Sequence, residues 1–180
     1  MLKGIIAALW NRKERPESVV PETVFFLNGG LFEIQERIDR FKAAGKKVFV
    51  DIDFVSGLSG DEDSVLYLKK SGVDGIITAK LRIFKQAVNA GMHQSLLRFF
   101  VLDSRAVEKG IQTIVSNGVR NIEILPGIVA AKVAPKIRVH APETTIVAAG
   151  LIDSVEEIEM LKNHVDGVST SSTALWTYRW

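Results

Sequence analysis

"IVAAGLIDSVEEIEMLKNHVDGVSTSS", residues 146–172, holds two short apolar runs, each ending in a cluster of Gly, Ala, Ser or Thr where a helix-like pattern takes over. "TIVAA" (145–149) and "GVST" (167–170) are too short for stable helices and lack strict alternation, so they read as strands buried on both faces. Between them "DSVEE" opens a helix, with Ser154 as N-cap and Glu157 three residues on as the return partner of a capping box. The unit is strand, helix, strand, and its right-handed crossover makes the two strands parallel.

The same unit recurs upstream. Strands are expected at "TVFFL" (23–27), "KVFVDID" (47–53), "GIIT" (75–78), "LLRFFVL" (96–102) and "NIEIL" (121–125), with helices at 31–44, 61–70, 81–90, 104–117, 128–137 and 154–164. Ser104 follows Asp103 and precedes apolar Val107, Ile111 and Ile114, and Gly118 sits where a left-handed cap is needed. Alternation of this kind belongs to the α/β class. Seven strands in 180 residues fall short of a complete (β/α)₈ barrel, which usually needs about 200 residues or more. The expected fold is therefore a TIM-barrel-like (β/α) barrel that is incomplete or has one irregular strand. One domain covers residues 1–180, with 1–22 as an N-terminal helix, Gly4 to Asn11, and a polar connector through Pro21.

Composition narrows the function classes. The 23 Lys and Arg against 21 Asp and Glu leave a formal charge of +2, too slight to imply a nucleic-acid or membrane partner by itself. With no cysteine, disulfides, thiolate nucleophiles and cysteine metal sites are excluded. The apolar run near the N-terminus is far shorter than the ~20 residues of a membrane span and has no small-residue cleavage site, so a cytoplasmic protein with no membrane partner is expected. His93, His140 and His164 fall in loops or helix ends, which argues against a histidine metal site or triad.

Small residues at the ends of two consecutive strands let backbone N–H groups approach a ligand. Gly150 and the run Ser169, Thr170, Ser171 thus form a candidate phosphate cradle, with a short helix at Thr173 to Tyr178 adding its positive end. Asp51 and Asp53, two apart on one strand, share a face, and Lys80, Arg98, Glu123 and Gly127 fall at or near other strand ends. Two readings stand: a buried ion-pair network, or acids that bind a polyol's hydroxyls while Lys80 or Arg98 neutralises a phosphate. An enzyme alternative has Asp51 and Asp53 holding Mg²⁺ and Lys80 forming a Schiff base, as in an aldolase or isomerase acting on a phosphosugar.

"KAAGKKVFVDIDFVSGLSGDE", "DGIITAK", "LRFFVLDSRAVEKGIQTI", "IEILPGI" and "AAGLIDSVEEI…GVSTSSTALW" together resemble, in order and spacing, the glycerol-3-phosphate-responsive antiterminators of bacterial glycerol-uptake operons. The resemblance covers about Phe25 to Trp176. It implies a regulator on a TIM-barrel-like fold, without cofactor, that senses glycerol 3-phosphate and acts on leader mRNA to prevent transcription termination. Asp53, Lys80, Arg98, Asp103, Glu123, Pro126, Gly127, Gly150, Ser169, Thr170 and Ser171 match its recurrent motif residues. This chain departs from the family pattern in carrying Asp51 where His is usual, Leu97 where Gln is usual and Ala149 in place of a second Gly. Asp51 brings negative charge towards an anionic ligand, which keeps open a third reading, a phosphate-ligand sensor that binds no RNA.

Basic clusters at Arg37, Arg40, Lys42, Lys46 and Lys47, and at Lys132, Lys136, Arg138 and His140, are candidate RNA contacts if they meet on one surface. Trp10, Trp176, Tyr178 and Trp180 suggest a homodimer patch, or else aromatic packing of the termini.

Overall fold

The computed structural model describes residues 2–11 and 13–180. Eight strands, β1 (Gly4–Leu9), β2 (Thr23–Phe26), β3 (Lys47–Asp51), β4 (Gly75–Thr78), β5 (Leu96–Phe100), β6 (Asn121–Leu125), β7 (Thr145–Ala149) and β8 (Gly167–Thr170), each pair in parallel with the next. β8 returns to β1 and closes the barrel, in register Gly4 to Gly167 through Ala7 to Thr170.

The barrel is thus complete, and the expected N-terminal helix is the strand that completes it. "GIIAAL" is too short for its periodicity to separate helix from strand, and tertiary pairing decides. As a helix it would have left the edges of β2 and β8 unpaired. Among the described residues no α-helix links β1 to β2, only a single 3₁₀ turn at Pro16–Ser18, and this shortened crossover helps eight strands fit into 180 residues.

The helices lie where the periodicity puts them: α1 (Leu31–Ala43), α2 (Glu62–Lys70), α3 (Leu81–Asn89), α4 (Ser104–Ser116), α5 (Ala130–His140) and α6 (Val155–Leu161). Asp103 caps α4, its carboxylate accepting the Ala106 N–H at 2.8 Å, and the capping box of Ser154 and Glu157 opens α6. Among the described residues no helix is long and apolar enough to cross a membrane.

Alternation along each strand sorts the core. Outward residues such as Val48, Val50, Ile122, Ile124 and Ile146 pack with the helices, while Ile6, Phe25, Phe49, Ile77, Leu96 and Val147 fill the interior. A closed eight-stranded barrel stacks inward side chains in fours from alternate strands. Following the strand register, the layer next above Ile6, Phe49, Leu96 and Val147 on the odd strands is Ala8, Asp51, Arg98 and Ala149. Two alanines facing a charged pair leave space, and a cavity opens there.

The two halves of the barrel repeat one another. Asp74 accepts the Val48 N–H at 2.7 Å and pairs with Lys42, while Asp166 accepts the Ile146 N–H at 2.8 Å and pairs with Arg138. Both aspartates belong to a "VDG" that starts a strand, β4 and β8, four strands apart. The registers agree: Phe49 faces Gly75 as Val147 faces Gly167.

Candidate functional site

At the carboxyl ends of the strands a cavity of about 180 Å³ is lined by Ala8, Leu27, Arg98, Glu123, Leu125 and Ala149 within the barrel. Gly150, Leu151, Ile152, Ser169, Thr170 and Ser171 form one wall, and Trp10, Phe54 and Phe100 stand at the rim. Six of the ten site residues expected from sequence meet here: Arg98, Glu123, Gly150, Ser169, Thr170 and Ser171.

Arg98 organises the floor. Its Nε donates to Glu123 Oε2 at 2.6 Å, and its Nη1 lies 2.5 Å from Asp51 Oδ2, all three side chains being nearly or fully buried. Burial pushes the Asp51 carboxyl up to about 6 against the pull of Arg98, with Glu123 and Asp53 adding repulsion. The Glu123 carboxyl is likewise raised by burial, which outweighs the opposing pull of Arg98. Burial works against the Arg98 charge, but the two carboxylates prevail and hold the guanidinium above its ordinary value. Arg98 and Glu123 both line the cavity, so a ligand entering it meets a guanidinium donor and a carboxylate acceptor.

The wall after β7 and β8 is backbone-rich. Gly150 and Leu151 both have positive φ, 78° and 57°, and among the described residues Leu151 is the non-glycine residue in that region. Gly127 does not line the cavity but lies behind this turn, donating its N–H to Gly150 O at 2.9 Å. A Cβ on Gly127 would come within 2.8 Å of Ala149 N, so only glycine permits the close approach. After β8, Thr170 Oγ1 donates to Ile152 O at 2.7 Å and accepts the Ser172 N–H at 3.1 Å, while Trp176 Nε1 holds Thr170 O at 2.9 Å. The expected helix at Thr173 to Tyr178 is a five-residue 3₁₀ turn, Thr173–Thr177.

Asp51 and Asp53 turn to different partners. Asp51 Oδ1 accepts the Asp53 N–H at 3.1 Å and its other oxygen meets Arg98, behind the cavity lining. Asp53 Oδ2 accepts from Thr78 Oγ1 at 3.1 Å and from the Ala79 N–H at 2.8 Å, and Lys80 Nζ lies 3.1 Å from its Oδ1. Asp53 and Lys80 are therefore a pair beside the cavity rather than in it, and Lys80 is turned largely to solvent. Among the described residues no group of three or more His, Cys, Asp or Glu is arranged to hold a metal ion.

This second cluster is the counterpart, in the first half of the barrel, of the wall after β7 and β8. Thr78 matches Thr170, and each Oγ1 accepts the N–H two residues on at 3.1 Å. Ala79 matches Ser171, and Asp53 matches Leu151. In the first half a carboxylate occupies the turn; in the second the corresponding turn faces the cavity.

The rim aromatics are not among the expected site residues. Trp10 and Phe54 pair with ring centroids 5.8 Å apart, and the Arg98 guanidinium lies 5.7 Å from the Phe54 ring. Their signal is positional: Trp10 follows Ala8 by two, and Phe100 follows Arg98 by two, each on the cavity face. The four aromatics near the termini do not form one patch. Trp10 stands at the mouth, Trp176 is buried, Tyr178 bonds Glu159, and Trp180 packs against Gly4 at the opposite end.

Residues 5–176 match the family model described as glycerol-3-phosphate responsive antiterminator. The chain is similar to a glycerol uptake operon antiterminator-related protein of Thermotoga maritima, with 45% identity over 99% of this chain and 100% of that one, TM-score 0.93. A glycerol uptake operon antiterminator regulatory protein of Listeria monocytogenes superposes with TM-score 0.85 at 26% identity, covering 98% and 96% of the two chains. An uncharacterised Escherichia coli K12 protein, YgcP, is 29% identical over 96% of this chain and 91% of its own.

Proposed function

Because the chain belongs to the glycerol-3-phosphate responsive antiterminator family, we propose that its cavity is a sensor site for a small phosphorylated polyol, glycerol 3-phosphate, and that occupancy governs antitermination on a leader mRNA in the cytoplasm. The observation that carries this reading is the pairing of two halves of a site across one small cavity: a backbone-rich turn at Gly150 and Ser169–Ser171, and a polar floor of Arg98 and Glu123.

Charge arrangement supports the same assignment. Asp53 acts as an internal anion against Thr78 Oγ1 and the Ala79 N–H, and the matching turn at Thr170 and Ser171 faces open space. A ligand phosphate takes there the Ser171 N–H that matches the Ala79 N–H bonded by the Asp53 carboxylate, the Thr170 hydroxyl being donated to Ile152 O, and the ligand's hydroxyls reach Glu123 and Arg98. The cavity of about 180 Å³ has room for a phosphorylated three-carbon polyol. Asp51 tells less against an anionic ligand than its charge suggests, because it sits behind Arg98 and outside the lining.

The test is a thermal-shift comparison of glycerol 3-phosphate, glycerol and inorganic phosphate. At 100 times its dissociation constant a ligand adds about 2.7 kcal/mol of apparent stability. A shift with glycerol 3-phosphate well beyond the other two is expected; equal shifts with phosphate alone would remove the polar floor from the reading, and no shift would remove the site.

A further inference from the structure

Most of the basic residues marked by their spacing are spent on structure. Arg37 is buried against the carbonyls of Asn28 and Asn11, Lys42 pairs with Asp74, Lys46 donates to Val19 O and Pro21 O, Lys47 pairs with Glu22, and Arg138 pairs with Asp166. A different set of cations meets in a groove of about 360 Å³ at the amino-terminal ends of β5 and β6, the face opposite the cavity. Lys85, His93 and Arg120 line it with Asn89, Asn117 and Asn121, over the edge of Phe84, and the lining includes no carboxylate. Lys69 extends the basic surface, its Nζ lying 3.9 Å from where a Cβ on Gly91 would stand.

Lysines near helix C-termini commonly serve the helix dipole alone. This groove has more than that: a lysine from α3 and an arginine from the turn before β6, with the Asn89 amide and the amide oxygens of Asn117 and Asn121 between them able to hydrogen-bond base edges, the amide nitrogens of the last two being held by Thr113 O, His93 O and Ser95 O. Its position adds the stronger argument. β5 and β6 begin at the groove and end at the cavity, where the same two strands supply Arg98 and Glu123 in register with one another. Arg120 directly precedes β6 and is three residues from Glu123, about 10 Å at ~3.3 Å per residue.

We propose that this groove is the docking surface for RNA, with Lys85 and Arg120 contacting phosphodiester groups. The proposal rests on the antiterminator reading and adds to it that ligand and RNA bind at opposite ends of one strand pair and so do not compete for space.

Binding of a fluorescein-labelled mixed-sequence RNA, single-stranded and as a stem–loop, is followed by anisotropy as salt is raised. Lys85→Ala with Arg120→Ala is compared with Lys3→Ala with Arg40→Ala, which removes the same charge from the same face across the barrel. The groove pair is expected to lose affinity on the order of tenfold and to flatten the salt slope by about 1.4 for single strands, at ~0.7 per phosphate contact, while the control pair stays close to the native chain. The thermal shift with glycerol 3-phosphate is expected to be unchanged in both variants. Equal losses in both pairs, or none in the groove pair, would overturn the docking surface while leaving the antiterminator reading in place. A native chain that binds neither RNA at low salt would overturn both.

Discussion

Asp51→Asn tests the charged floor directly. The Asp51 carboxyl stands at about 6 in the folded chain against its ordinary 3.8, because burial outweighs the attraction of Arg98. Between those two values the folded chain holds a proton that the unfolded chain has released, so stability falls as pH rises through this window. The gap corresponds to about 3 kcal/mol at ~1.4 kcal/mol per pH unit. Glu123, also raised by burial, contributes with the same sign. Glu22, Asp61, Glu157 and Glu159 are lowered, chiefly by hydrogen bonds from Lys47, Ser64, Asp153 and Lys162 respectively, and act oppositely, gaining stability as pH rises through the acid range. The quantity to measure is therefore the native-minus-variant difference in urea unfolding free energy from about pH 3 to about pH 7. The amide adds a constant offset, and the difference should fall by about 3 kcal/mol across the range. Parallel curves would show that Asp51 titrates alike in folded and unfolded chains and would refute the account of the floor.

Three further outcomes follow from the cavity wall. Ser171→Asp places a carboxylate at the turn matching Ala79, and calorimetric titration should show glycerol 3-phosphate affinity reduced at least about tenfold through like-charge repulsion with the fold retained. Leu151→Gly relieves a left-handed non-glycine conformation at φ 57°, and the urea midpoint should rise by the equivalent of about 1 kcal/mol. Lys80→Ala removes one member of a pair whose lysine is mostly exposed, so its unfolding free energy should change by about 1 kcal/mol or less, and ligand affinity should hold, as Lys80 lies outside the cavity lining.

The seven strands after the N-terminal segment were legible because each is short, apolar and followed by a helical period, and the register then follows from closure. β1 was not, because "GIIAAL" is followed by a polar, Pro-containing connector in place of a helix, so the alternation that identifies the other strands is broken. The site divides in the same way. Gly150, Ser169, Thr170 and Ser171 announce themselves as small residues at strand ends, and Arg98 and Glu123 as charges inside apolar strands. Which acid pairs with which base depends on register around the barrel. Arg98 stands beside Glu123 on the neighbouring strand and meets Asp51 within one layer, whereas Asp53, one step higher, falls to Lys80. Basic clusters close in sequence dissolved for a related reason: cations near the strand starts are taken up by Asp74, Asp166 and Glu22, which the fold brings from distant segments.

The half-barrel repeat explains why a barrel with near-equivalent halves has its cavity on one side. Equivalent positions in the layer at the mouth are Ala8 with Arg98, and Asp51 with Ala149, so each half carries one charge and one alanine. The charges meet across the barrel at 2.5 Å, and the space forms where the alanines are, towards β7, β8 and β1. One layer higher the matched pair is Asp53 and Leu151. Asp53 fills the first turn with its own carboxylate and ties it to Lys80, whereas Leu151 bears no charge and is largely exposed, so the second turn holds no internal anion. Two differences between otherwise matched halves, a charge in one layer and a carboxylate in the next, thus leave the cavity in a single quadrant of the mouth, with Arg98 and Glu123 in its floor.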